Sequence, residues 1–261
     1  MKIEKQILLS FDIEEFDTPL EYGKKLDLEE QLSVSFRGMN AILHLLKKYN
    51  ITATFFTTAN FALHFPAEIK KMSQSYEIAS HGFYHSSFKE EDLLKSRLSL
   101  EKIIGKNIYG YRMARMAPID GEEIRKAGYV YNASLHPTFI PGRYNNLDKP
   151  RTYFMQNEVL QIPAAVTPII RFPLFWLSFK NFPLSLIKRA SKNVMKKDGY
   201  VNLYFHPWEF SDTTDNEKFG LPFYVRNNGK NMLNKLETYI KWCIQNDYTF
   251  STYYDLYKAA T

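Results

Sequence analysis

Short apolar runs at residues 7–11, 52–56, 77–80, 109–112, 129–131, 159–162, 200–205 and 249–252 alternate with longer stretches in which apolar residues return every three or four positions. The first kind predicts β-strands. The second predicts amphipathic helices over 29–49, 89–104, 121–126, 184–197 and 229–246. A chain that alternates strand and helix builds a parallel α/β architecture. With seven or eight such units and no glycine-rich dinucleotide loop, a distorted (β/α) barrel of about seven parallel strands is expected rather than an open doubly wound sheet. It is expected to take up residues 1–261 as one domain, since no internal repeat or low-complexity tract interrupts the pattern. Segment 167–183 stands apart. It is strongly apolar but carries Pro168, Pro173 and Pro183, which make it a poor long helix, so an irregular loop at the barrel mouth is expected there.

Barrels of this kind carry their reactive groups at the C-terminal ends of the strands. The polar residues of this chain follow that rule. Asp12 and Glu14 follow the first run, His81 and His85 the third, and Arg112 ends the fourth. Asn132 and His136 follow the fifth run and His206 the seventh. His44 and His64 fall inside helical or connecting segments and read as structural.

Three of these places carry chemistry. In Ser80-His81-Gly82-Phe83-Tyr84-His85 two histidines stand four apart, on one face if the stretch forms a helical turn, and both imidazoles could then reach one metal ion. Acids at the end of an apolar strand are costly to bury unless they are used. Asp12 and Glu14 stand two apart and point the same way if the strand continues. One carboxylate joining two histidines makes a three-ligand set with open positions, and a second carboxylate beside it can accept a proton from water. His206 ends a strand-like run that Pro207 stops, and an imidazole can donate a proton near neutrality. The bland counterparts are chance histidine spacing, a solvated acidic loop and a satisfied histidine in a turn.

Composition sharpens the picture. The 18 Tyr and 20 Phe exceed ordinary usage, and such rings build cores but also line sugar-binding grooves. The net charge of +6 is spread along the chain, so no basic nucleic-acid arm is present, and a weak attraction to an anionic surface or polymer remains. Cys243 is alone, which excludes an internal disulfide and a thiolate metal site and leaves a buried structural thiol. No stretch has the roughly 18 uninterrupted apolar residues of a spanning helix. The run at 7–11 is too short for a signal-peptide core and ends in acids, so a cytoplasmic location is expected.

Together, Phe11-Asp12-Ile13-Glu14, Ser80-His81-Gly82-Phe83-Tyr84-His85, Tyr111-Arg112 and Tyr204-Phe205-His206-Pro207-Trp208-Glu209 resemble the polysaccharide deacetylase family, also called the NodB-homology or carbohydrate esterase 4 family. The resemblance runs from about residue 7 to 254, and is to the branch in which one residue separates the two acids. It implies a distorted barrel and a divalent metal, usually zinc, held by Glu14, His81 and His85. It also implies Asp12 as general base, His206 as general acid, and Arg112 as the arginine that orients the base. Trp208, Tyr84, His136, Arg115 and Trp176 are the candidate substrate contacts. Three positions depart from the family pattern: Ala114 replaces a proline, Gly82 a small hydroxyl residue, and Asn132 an acid that supports the acid histidine. An amide cannot stabilise an imidazolium as a carboxylate does, so either Glu209 takes that role or His206 is less basic.

The expected activity is removal of N-acetyl groups from an amino-sugar glycan. Two alternatives stay open: hydrolysis of a formamide, a ureide or a small cyclic amide on the same scaffold, and non-catalytic sugar binding. The aromatic stretch 172–182 has several possible uses: a lid or membrane-facing wall for a lipid-linked glycan, burial on the barrel rim, or burial against a second subunit.

Overall fold

The computed structural model describes residues 5–226 and 228–261. Its strands are β1 (Gln6–Ile13), β2 (Thr54–Thr57), β3 (Glu77–Ser80), β4 (Gly110–Tyr111), β5 (Tyr131–Asn132), β6 (Phe139–Ile140), β7 (Tyr144–Asn145), β8 (Phe154–Gln156), β9 (Val159–Gln161), β10 (Tyr200–Phe205) and β11 (Thr249–Phe250). The main sheet runs β10-β1-β2-β3-β4-β5-β9-β8, and β11 also pairs with β1. Every pairing in it is parallel except β8 with β9. The path ends at β10 and β8, so the expected barrel is a curled α/β half-barrel.

The alternation of β1 explains where the chemistry points. Ile7, Leu9, Phe11 and Ile13 pack in the large core between sheet and helices. Leu8 packs in the inner core with Phe56, Ala79, Tyr131 and Leu160. Side chains alternate across a strand, so Ser10 and Asp12 share the inward face of Leu8. The bottom of the half-barrel is plugged by Tyr253 and Leu256 of the C-terminal helix Tyr253–Ala260, which the periodicity of the sequence did not single out.

The helices Leu28–Tyr49, Glu91–Ile104, Gly121–Lys126, Leu184–Asp198 and Lys230–Gln245 lie within two residues of their expected bounds. Three features depart from expectation. β8 turns into β9 through Asn157 and Glu158, both at positive φ (50° and 60°), and without a glycine to mark it the hairpin has no sequence signal. The β6–β7 hairpin forms a separate two-stranded sheet over the mouth. Segment 167–183 is more ordered than expected. Val166 bridges to Pro173, and the proline-free stretch that follows forms the helix Trp176–Asn181, with Leu174, Phe175 and Phe179 buried. Its aromatic part therefore folds onto the rim, while Ile169 and Ile170 upstream are left exposed. Among the described residues, no helix is long and apolar enough to cross a membrane.

Candidate metal and catalytic centre

Glu14, His81 and His85 converge at the C-terminal ends of β1 and β3. Glu14 Oε2 lies 3.2 Å from His81 Nε2 and 3.1 Å from His85 Nε2. They form the one group of three ligating side chains found together among the described residues, with the ligand atoms within 4.8 Å of one another. The two histidines do not share a helical face, as their spacing predicted. Residues 81–85 form an irregular loop in which Gly82 adopts φ +84°, a conformation a side chain would strain. The rings meet because each is held from behind. His81 Nδ1 is 2.8 Å from the Arg112 carbonyl oxygen, and His85 Nδ1 is 2.8 Å from Asp17 Oδ1. Both anchors accept from an Nδ1–H, which leaves each Nε2 lone pair facing Glu14. Trp208 Nε1 donates to the other Glu14 oxygen at 3.3 Å.

These anchored donors fit a divalent ion: two imidazoles of fixed tautomer, one carboxylate, and an open side toward the cleft. Burial favours the neutral form of Glu14, but His85, His206 and His81 outweigh it and hold the carboxyl at about 2. Burial likewise works against a charged His85, yet Glu14 and Asp17 push it up to about 9.

Asp12 is buried beside this cluster. Arg112, 1% exposed, donates through Nη1 to Asp12 Oδ1 at 2.5 Å and to Ser10 Oγ at 3.0 Å. Its Nη2 donates to the Tyr253 hydroxyl at 2.9 Å, and its guanidinium lies 3.9 Å from the centre of the Phe56 ring. The arginine thus fixes the base candidate from inside the half-barrel.

His206 stands across the cleft. Its Nδ1 is 3.1 Å from Glu209 Oε1, which also accepts from the His206 backbone N–H at 2.8 Å. Glu209 therefore fills the supporting place that Asn132 cannot. Asn132 Nδ2 instead donates to Gln161 Oε1 at 2.8 Å, tying β5 to β9. Burial lowers the basicity of His206, but Glu14 and Glu209 more than offset it, and its pKa is raised. Behind Glu209 lies Lys180, wholly buried, with Nζ 3.2 Å from Glu209 Oε2 and 5.1 Å from the ring centres of Trp176 and Trp208. The His206 ring stacks on Trp208 at 5.3 Å and meets Trp176 edge-on at 5.2 Å.

These groups open into a cleft of about 300 Å³ lined by Asp12, Glu14, His81, His85, His206 and Trp208, with Arg115, Arg143, Tyr144, Trp176 and Tyr224 toward the mouth. Arg115 lies in the cleft wall but is held there by Asp17 at 3.1 Å and Glu21 at 3.0 Å. One substrate-contact expectation is corrected. His136 is buried behind Phe175 and Tyr204, bonded to the Tyr144 hydroxyl at 2.8 Å, and is not in the cleft wall. Tyr84 is 45% exposed in a groove beside the cleft, with Phe88 and Met113, and this groove shares His81, His85 and Arg115 with the cleft. His44 lines a groove on the far helices, and His64 bonds to the carbonyl of Asn60 in its own helix. Asp17, Lys180 and Arg143 were missed. Asp17, three residues beyond Glu14, could have been sought as a carboxylate partner for a ligand histidine. Lys180 gives no signal inside an apolar segment.

The polysaccharide deacetylase family model matches residues 4–117. Residues 4–117, a little under half of the chain, are therefore similar to the polysaccharide deacetylase family. A second model, a domain of unknown function (DUF3473), matches residues 133–258. The two matches meet in one sheet and one cleft: Asp12, Glu14, His81, His85 and Arg112 come from the first, His206, Trp208 and Glu209 from the second, and β1 pairs with β10. A peptidoglycan deacetylase of Helicobacter pylori (strain ATCC 700392 / 26695) is 30% identical over 164 residues, 53% of this chain and 56% of the relative. The match thus spans little more than half of that curated relative.

Among solved structures, a Mycobacterium smegmatis protein described as a polysaccharide deacetylase superposes with a TM-score of 0.66 at 18% identity, covering 99% of this chain and 91% of that one. An allantoinase superposes at 0.59 and 17% identity, over 96% and 88% of the two chains. A carbohydrate esterase 4 pseudoenzyme from Bacillus anthracis superposes at 0.51 and 12%, over 97% and 65%. At these identities the likeness establishes the fold, and function has to be argued from the site.

Proposed function

We propose that this chain hydrolyses the acetamide of an N-acetylated glycan, with a divalent ion, zinc by its donor set, held by Glu14, His81 and His85. The observation that carries this reading is the way the three working groups are each held from behind. The Nε2 atoms of two anchored histidines meet on Glu14, Asp12 is gripped by a buried arginine, and His206 is backed by Glu209, all around one cleft.

When bound, the ion supplies Lewis acidity to the scissile carbonyl and to the attacking water. The rest of the work falls to the chain. Asp12, oriented by Arg112, accepts the proton of the water. His206, its Nδ1–H directed at Glu209, presents Nε2 to the cleft and donates a proton to the departing amine. The raised pKa of His206 keeps that proton available near neutrality. Trp208 holds Glu14 in place, and Trp176 and Phe175 exclude water from one wall. The products are acetate and a free amino sugar.

The cleft volume is at the lower end of the range for ligand sites, so it suits one sugar residue or a small cyclic amide. The allantoinase with the same fold makes the second a real competitor. The test is acetate release from a panel of N-acetylated oligosaccharides, with ureides and cyclic amides alongside, before and after chelation. Acetate release that chelator abolishes and metal restores is expected. Ureide hydrolysis without acetate release, or glycan binding with no turnover of any amide, would overturn the proposal.

A further inference from the structure

The largest exposed apolar side chains outside the cleft gather on one stretch of its rim. Ile169 is 91% exposed, Ile170 80%, Phe223 76% and Phe139 54%. Two adjacent isoleucines almost wholly in water are costly for a loop tip unless something covers them. Printed contacts knit the segments together. Thr138 Oγ1 donates to the Arg171 carbonyl oxygen at 2.8 Å, and Arg171 Nη1 donates to the carbonyl oxygens of Pro137 and Lys149. Phe172 meets Phe182 edge-on at 5.1 Å, and Asn181 Nδ2 donates to the Tyr224 carbonyl oxygen at 2.8 Å. All of these loops leave the C-terminal ends of β5, β9 and β10, the face onto which the cleft opens.

The segment that leads from β9 into β10 is basic, although Asp148 stands exposed in the neighbouring loop. No Asp or Glu occurs between Glu158 and Asp198, while Arg171, Lys188, Arg189, Lys192, Lys196 and Lys197 fall within that interval. Helix Leu184–Asp198 exposes Leu186, Arg189 and Lys192 in succession. Arg143, Arg189 and Lys192 have no carboxylate partner among the described residues.

We propose that this rim docks peripherally on an anionic lipid bilayer, with Ile169, Ile170 and Phe223 entering the headgroup region and the flanking cations facing lipid phosphates. Apolar tips interleaved with unpaired bases are what such an interface rewards, because one partner supplies both an apolar interior and negative charge. A second copy of this chain would instead bring Arg143, Arg189 and Lys192 against their own like charges. Docked this way, the cleft mouth, with Tyr224 and Arg143 at its edge, faces the membrane, and the glycan it takes lies at the bilayer surface. The docking itself holds whichever amide the cleft cuts.

The test is co-sedimentation of the full chain with vesicles of phosphatidylcholine alone and with about a quarter phosphatidylglycerol. The chain is expected to pellet with the anionic vesicles and to be released in part by high salt. Ile169→Ser with Ile170→Ser and Phe223→Ser should lower the bound fraction at least about tenfold. Arg189→Gln with Lys192→Gln should abolish the preference for anionic lipid. Both sets lie outside the cleft, so melting temperature and turnover of soluble oligosaccharide should stay as in the parent chain. Failure of acetate release would leave the vesicle result intact, and the reverse holds too. A parent chain that stays in the supernatant with both vesicle types would overturn the proposal. So would unchanged binding by both variants. Light scattering that shows a dimer dispersed by the triple variant would assign the rim to a second copy instead.

Discussion

At the scale of single residues, the site depends on what stands behind each working group. Asp12 needs no contact with the ion to act, because Arg112 already holds its carboxylate. Asp12→Asn should therefore keep bound metal by elemental analysis and lose turnover by roughly 10²–10⁴-fold. Near-parental turnover would remove Asp12 from the base role. Glu209 has a different signature. It raises the pKa of His206, and a general acid works only while protonated. Removing the Glu209 charge lowers that pKa, so in Glu209→Gln the alkaline limb of the pH–rate profile should move to lower pH. An unmoved limb would mean that Glu209 only braces the turn. Sequence left Glu209 and a weakly basic histidine as equal alternatives; the 3.1 Å contact selects Glu209.

At the scale of elements, the His206 turn is placed by a close approach rather than by its own residues. A Cβ at Gly38, midway along helix Leu28–Tyr49, would stand 1.7 Å from the Pro207 carbonyl oxygen. The helix backbone therefore touches the turn directly, and Ser211 Oγ fixes the same join by donating to the Val34 carbonyl oxygen at 2.6 Å. Gly38→Ala forces the turn away from the helix. Overpacking of this kind costs about 1–3 kcal/mol of stability. The larger effect should be catalytic, because a displacement of about 1 Å at His206 can cost on the order of 10²-fold in rate. Thermal melting together with acetate-release kinetics checks this. A variant that melts lower but turns over normally would show that the turn tolerates the shift.

For the molecule as a whole, acid stability should turn on a buried histidine outside the chemistry. Burial, with Arg112 nearby, presses His136 from its ordinary 6.5 down to about 3. The unfolded chain therefore binds this proton more readily than the folded one. The stability due to a neutral His136 is complete above about 6.5 and is lost as pH falls toward 3. At about 1.36 kcal/mol per unit, the loss between pH 7 and 4.5 is on the order of 3 kcal/mol. His136→Phe keeps a ring against Phe175 and Tyr204 and abolishes that titration. The gap in urea stability between the two pH values should be smaller in the variant by about that amount, and an equal gap would refute the assignment.

The strands and long helices were legible from the sequence, because burial on one stripe or on both faces writes its period into the chain. So were the strand-end positions of Asp12, Glu14, His81, His85, Arg112 and His206, since polar residues after apolar runs stand out. What the sequence could not supply came from contacts between distant segments. The loop that joins His81 to His85 is irregular, and the rings converge through the Arg112 carbonyl and Asp17, thirty-one and sixty-eight positions away in the chain. His136 occupies a strand end like the others, yet the β6–β7 hairpin and Phe175 fold over it and turn a candidate contact into core. The aromatic stretch after 172 buries itself while Ile169 and Ile170 stay in water, because the prolines set where that segment bends. Local periodicity records which face of an element is buried. Only the assembled fold decides which buried groups meet, and so which polar residues work and which merely fill space.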